Sequence, residues 1–179
     1  MILRRALKTA TGTLHDELDA MMSAFDLSCD EGYRAFLRVQ ARVLPPYEES
    51  LSAGGIATLV TDWEKNRRSF LLERDLTAMG DTMPAPVDVG TVSGTPELLG
   101  TAYVIEGSRL GGRFLVRSVG GKMPNDFLSA SAQKSAWPAL LAALDRADFD
   151  AAERARAEDA SRRCFETFIA VAREELIVD

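Results

Sequence analysis

Over the first twenty-five residues, apolar side chains recur at three- and four-residue steps: Leu3, Leu7, Ala10, Leu14, Leu18, Met21 and Phe25. That is the spacing of one face of an α-helix, and it predicts a helix over about 2–23. A second periodic run follows Asp30, a residue suited to an N-cap, and carries Tyr33, Phe36, Leu37, Val43 and Leu44. Pro45-Pro46 is expected to break or kink it, because each proline lacks an N–H and its ring clashes with the preceding turn. Tyr47 and Leu51 continue the pattern beyond. Gly54-Gly55 predicts a turn, and Asp62 a cap for a third helix through Trp63 and Phe70 towards Leu76, ending near Gly80. The stretch from Asp81 to Thr95, with its prolines and glycines, reads as a loop.

Thr95-Pro96-Glu97 combines a capping hydroxyl, a proline suited to the first helical position and an acid favourable to the helix dipole. The helix it opens is expected to run to about Ser118 and stop at Gly120-Gly121. Shorter helices are predicted over roughly 129–135 and 138–147. Asp150 then caps a long last helix carrying Ala152, Ala155, Cys164, Phe165, Phe168, Ile169, Ala172 and Leu176. No alternating strand emerges; Val87 to Val92 comes nearest, and its proline and glycine neighbours argue against it. The expected fold is all-α, a single domain over 1–179 in which helices bury apolar stripes around one core.

Composition narrows the chemistry mainly by exclusion. The 21 basic and 27 acidic residues give a formal net charge of −6, which lacks the basic footprint of a nucleic-acid binder. No run approaches the ~20 apolar residues that span a bilayer, so no membrane partner is expected. The first residues lack the apolar core and cleavage site of a signal peptide, and a cytoplasmic location is expected. Cys29 and Cys164 are too few and too far apart for a zinc knuckle, a redox pair or an iron–sulfur cluster. The single histidine, His15, rules out any site in one chain that needs two or three imidazoles.

On a helical wheel His15 lies roughly 100° from the centre of the apolar stripe, alongside Lys8, Thr11, Asp19 and Met22. The plain reading of such a residue is a solvated surface histidine. In the helix from Thr95, Gly100, Gly107, Gly111 and Gly112 fall within thirteen residues, each costing about 1 kcal/mol relative to alanine. They leave one side of the helix nearly bare. Close packing against another helix and the clamping of a planar ligand both account for that stripe. A phosphate loop does not, because no strand leads into the glycines and the spacing differs from G-x-x-x-x-G-K-[ST]. A haem iron needs only one protein ligand and leaves its sixth position open, so one imidazole facing a bare backbone is compatible with haem chemistry.

Two segments then carry a family resemblance. Leu14-His15-Asp16-Glu17-Leu18-Asp19, with Phe25-Asp26-Leu27-Ser28 and Gly32-Tyr33-Arg34-Ala35-Phe36-Leu37, resembles the N-terminal region of bacterial haem oxygenases of the bacteriophytochrome-associated type. Tyr103-Val104-Ile105-Glu106-Gly107-Ser108-Arg109-Leu110-Gly111-Gly112 is similar to their distal-helix motif. The resemblance implies a helical bundle with haem between a proximal N-terminal helix and a glycine-rich, kinked distal helix. It implies His15 as axial ligand to the iron, Lys8 as a propionate contact, and Thr11, Leu14 and Met22 on the proximal surface. Gly107, Ser108, Gly111 and Gly112 fall over the haem, and Phe165 and Phe168 on a helix that walls the pocket. Ser108 stands where mammalian-type members carry an aspartate.

The implied activity is oxidative cleavage of haem b, at once cofactor and substrate, to biliverdin, carbon monoxide and ferrous iron. It would use O2 and electrons from a ferredoxin-type donor, and its biliverdin would suit a bacteriophytochrome. Ser108 and ordered water would deliver protons. The alternatives are a non-catalytic haem-binding sensor or storage protein on the same fold, and a non-haem enzyme of the wider superfamily. Arg109, Arg113 and Arg117, spaced i, i+4, i+8, are expected to form a ridge opposite the glycines, either a solvated face or a dock for an acidic ferredoxin. Glu106 is a candidate buried partner for an arginine.

Overall fold

The computed structural model describes residues 3–121, 123–130 and 137–178. Among the described residues seven α-helices follow one another: α1 (Leu3–Met22), α2 (Asp30–Ala53), α3 (Ser69–Ala78), α4 (Thr95–Leu115), α5 (Asp126–Ala130), α6 (Trp137–Arg146) and α7 (Ala151–Val178). No strand occurs among the described residues. The periodic patterns of α1, α4 and α7 thus form the helices they predict, and Val87 to Val92 lies in an irregular segment. The helix expected over 129–135 differs: α5 starts at Asp126, and positions 131–136 lie outside the described residues.

The 28-residue α7 is the organising element, packed against α4, α1 and α2. Asp150 caps it as expected, in a reciprocal arrangement: Glu153 N–H donates to Asp150 Oδ1 at 2.8 Å, and Asp150 N–H to Glu153 Oε2 at 3.0 Å. Gly100 lets α4 approach this helix, since a Cβ there would collide with the Ala157 carbonyl.

Two elements depart from the sequence pattern. Helix α2 does not break at Pro45-Pro46 but runs unbroken from Asp30 to Ala53. Pro46 cannot donate to the Arg42 carbonyl, and Val87 N–H from the long 79–94 segment takes that acceptor at 2.9 Å. The lost helical bond becomes a tertiary anchor. Cys29 rather than Asp30 occupies the N-cap position, with Asp30 in the first turn. Gly94, not Thr95, similarly precedes α4.

The third helix starts at Ser69 rather than after Asp62. Asp62 has φ 61°, a left-handed conformation that aspartate tolerates, and leads into a single 3-10 turn, Glu64–Asn66. The cap of α3 comes from α2, twenty residues away: Glu48 Oε1 accepts from Arg68 N–H at 2.8 Å and Oε2 from Ser69 N–H at 3.1 Å. Helix α5 is capped in the same manner. Asp75 of α3 accepts from Asp126 N–H at 3.0 Å and Phe127 N–H at 2.9 Å. Buried carboxylates thereby place Arg68 and Phe127, both of which matter below.

Candidate functional site

A cavity of about 540 Å3 lies among α1, α2, α4 and α7, with α5 and α6 completing its wall. That volume suits a small-molecule or cofactor site. Its lining is mainly apolar, with Met22, Phe36, Val104, Phe127, Leu128 and Phe165 among its walls.

Helix α1 contributes one flank: Arg4, Lys8, His15, Leu18, Asp19 and Met22. The His15 side chain is 58% exposed, its Nδ1 lies 3.2 Å from Asp19 Oδ2, and its ring centroid is 5.9 Å from that of Phe165. The i, i+4 spacing puts imidazole and carboxylate one turn apart on the same face. Thr11 and Leu14, expected on this surface, do not line the cavity. Thr11 is buried, its hydroxyl satisfied within the helix by the Leu7 carbonyl at 2.9 Å. Leu14 packs, half-buried, against the core.

The glycine stripe of α4 divides into two uses. Gly100 serves helix packing, whereas Gly107, Gly111 and Gly112 line the cavity. A Cβ at Gly111 would meet nothing within 4 Å, and one at Gly107 only the edge of Trp137 at 3.9 Å. Space that small side chains would fill is thus left open above bare backbone. Phe165 and Phe168 of α7 line the cavity as well.

Ser108 also lines the cavity, but its single hydroxyl proton is engaged. It donates to the Ile105 carbonyl at 2.7 Å and accepts from Arg68 Nη2 at 2.8 Å. Arg68 is only 3% exposed, stands 5.0 Å over the Phe127 ring and reaches the cavity wall. Burial and the neighbouring Arg109 push its pKa down to about 10, against the opposing charges of Glu48 and Glu106. Gln40 of α2 completes this polar corner.

Gln40 and Arg68 were not singled out from the sequence. Gln40 left a trace there: a polar residue on the buried face of a helix between Phe36 and Leu44. Arg68 left none, because a distant cap places it. Tyr103 and Trp137, with ring centroids 5.8 Å apart, line the cavity too. Burial raises the Tyr103 pKa, opposed by the nearby Arg4.

The expected arginine ridge does not form. Arg109 is buried, its Nη1 donating to the Ala130 carbonyl at 3.3 Å, its Nη2 to the Asn66 carbonyl, and its Nε lying 3.5 Å from Glu106 Oε2. Carbonyls from the last residue of α5 and of the 3-10 turn Glu64–Asn66, and a carboxylate one turn away, draw it inward, so it cannot face solvent with Arg113 and Arg117. Glu106 is the buried arginine partner anticipated. Burial raises its pKa against the attraction of Arg109 and Arg68.

A second recess, about 670 Å3, lies between the 79–94 segment and α7. It holds none of the candidate residues and is bordered by Asp88, Glu97, Arg163, Glu166 and Glu174. Among the described residues, no group of three or more His, Cys, Asp or Glu could hold a bare metal ion, and no helix is long and apolar enough to cross a membrane.

Comparison with known proteins gives a consistent picture. No protein-family profile matches the chain. It is 31% identical over 142 residues to a haem oxygenase of Xanthomonas campestris pv. campestris (strain 8004), covering 76% of this chain and 86% of that relative. Its fold superposes with a TM-score of 0.81 on the haem oxygenase of Neisseria meningitidis solved with NO and CO bound, at 22% identity, covering 98% of this chain and 92% of that one.

Proposed function

The chain belongs to the haem oxygenase family, and from that premise we propose that it opens haem b to biliverdin, carbon monoxide and ferrous iron with O2 and electrons from a ferredoxin-type donor. Haem is the substrate and brings the iron at which dioxygen is reduced. The observation that carries this reading is that His15, the one imidazole of the chain, lines the same cavity as the bare backbone of Gly107 and Gly111.

On this reading each group has a task. A proton on His15 Nδ1 is held by Asp19, which orients the ring and leaves the Nε2 lone pair for the iron. Arg4 and Lys8, exposed at the cavity, supply cations for the propionate carboxylates. Gly107, Gly111 and Gly112 admit the macrocycle against α4, because no side chain competes for that space. Met22, Phe165 and Phe168 exclude water from its apolar faces, while Thr11 and Leu14 seat α1 on the core from behind. Protons come through water held by Gln40 and Arg68, with Ser108 acting as an acceptor that fixes the guanidinium. Hand-over of biliverdin to a bacteriophytochrome remains part of the proposal.

The test is a titration of the protein with haemin, followed by reduction in air. A Soret band that changes in His15→Ala and recovers with added imidazole supports the ligand assignment; an unchanged band rejects it. Incubation with ferredoxin, its reductase and ascorbate is expected to produce the red-region absorption of biliverdin. A ferrous complex that binds O2 and never advances would identify a haem binder instead.

A further inference from the structure

Four charged side chains lie out of water behind the polar corner of the cavity: Glu48, Arg68, Glu106 and Arg109, each no more than 3% exposed. The two acids and two bases of this group sum to zero, the other buried acid, Asp75, being turned to the backbone N–H groups of Asp126 and Phe127, and at this depth an uncompensated charge is strongly unfavourable. Arg67, on the rim at 29% exposure, has its Nε 3.7 Å from Glu48 Oε2 and its Nη1 3.6 Å from Glu64 Oε2. Of the four, only Arg68 reaches the cavity.

Glu106 belongs to the motif of α4 but does not line the cavity. Its Oε2 and Arg109 Nε are both buried without a hydrogen-bond partner and stand 3.5 Å apart, beyond good hydrogen-bond length. Arg109 is already held by the carbonyls of Asn66 and Ala130. What Glu106 adds there is charge rather than geometry.

We propose that Glu106 is a charge-balancing positioning residue: with Glu48 it neutralises Arg68 and Arg109, so that the guanidinium on Ser108 draws no anion to the distal side of the cavity. The inference rests on the haem reading above. Its functional sense is selectivity, since a neutral diatomic must compete there with hydroxide and other anions. Glu106→Gln keeps the shape and leaves the cluster at +1; Arg109→Gln leaves it at −1; the double variant restores neutrality.

The experiment follows the acid-to-alkaline transition of the ferric haem complex by absorption, together with affinities for anionic azide and neutral imidazole. In Glu106→Gln the transition is expected to fall by at least about 0.5 pH unit, roughly threefold in the deprotonation constant, with azide gaining severalfold over imidazole. Arg109→Gln is expected to move both the opposite way, and the double variant to return close to the parent. An unmoved transition in a folded single variant, or shifts of the same sign in both, would overturn the proposal. Should Glu106→Gln fail to fold by circular dichroism, the sign in Arg109→Gln decides alone. Failure of the parent to bind haem rejects the haem reading, whereas binding with an immobile transition rejects only the charge balance.

Discussion

Arg68 donates to the Ser108 hydroxyl at 2.8 Å, and that hydroxyl spends its one proton on the Ile105 carbonyl at 2.7 Å. Ser108 is therefore an acceptor towards the guanidinium rather than a proton donor towards the cavity. Ser108→Ala is expected to destabilise the protein by about 1–3 kcal/mol, the cost of depriving a buried charged group of a partner, while turnover stays within roughly tenfold. Arg68→Met is expected to lower turnover further than Ser108→Ala. Denaturant titration and haem-degradation rates on both variants check the order; equal losses would return the proton-donor role to Ser108.

The two uses of the α4 glycines predict effects of opposite sign. A methyl at Gly111 meets nothing within 4 Å, so Gly111→Ala is expected to stabilise the haem-free protein by up to about 1 kcal/mol through helix propensity. The same methyl fills space proposed for the macrocycle and should weaken haem binding. Gly100→Ala drives a methyl into the Ala157 carbonyl and is expected to destabilise by about 1–3 kcal/mol or more. Urea melts and haemin titrations of the two variants separate the cases.

Asp75 stitches α5 to α3 by accepting two backbone N–H groups at 3.0 and 2.9 Å. Its removal in Asp75→Ala is expected to cost about 2 kcal/mol, the upper end for a lost cap. Because Phe127 and Leu128 line the cavity from α5, haem affinity should fall with stability. Loss of stability with unchanged affinity would show that α5 holds its place without the cap.

Asp81 provides a pH signature. Its partial burial raises its pKa, but the Thr82 N–H and Arg38 outweigh that and hold it below the ordinary value of 3.8. A depressed carboxylate contributes stability above its unfolded pKa and loses it as pH falls through the folded one. Asp81→Asn is accordingly expected to be less stable at pH 7 by about 0.5–1 kcal/mol, a modest figure because Arg38 is over a third exposed. The difference from the parent should shrink as pH falls below about 4 and vanish only once it has passed through the lowered folded-state pKa. A gap that persists in acid would assign the effect to hydrogen bonding rather than charge.

Much of this was legible along the chain because it depends on periodicity. The stripes of α1, α4 and α7, the Asp150 cap, the flank of α1 that carries the one imidazole and the bared side of α4 follow from residue type and spacing over a turn or two. The elements that resisted are those whose hydrogen bonds are completed from far away. Pro46 promises a break, yet Val87 supplies the missing donor. Asp62 promises a cap, yet Glu48 provides it for a helix that starts seven residues later.

By itself, then, the sequence determined an all-helical chain, the face on which His15 stands and the stretch of α4 stripped of side chains. Tertiary structure alone decided which glycines meet another helix and which meet open space. It also turned Arg109 inward to Glu106 and brought Gln40 and Arg68 to the cavity wall. Spacing specifies a direction on a helix, but not what waits there; burial, distant caps and charge pairing are settled only when separate segments pack together.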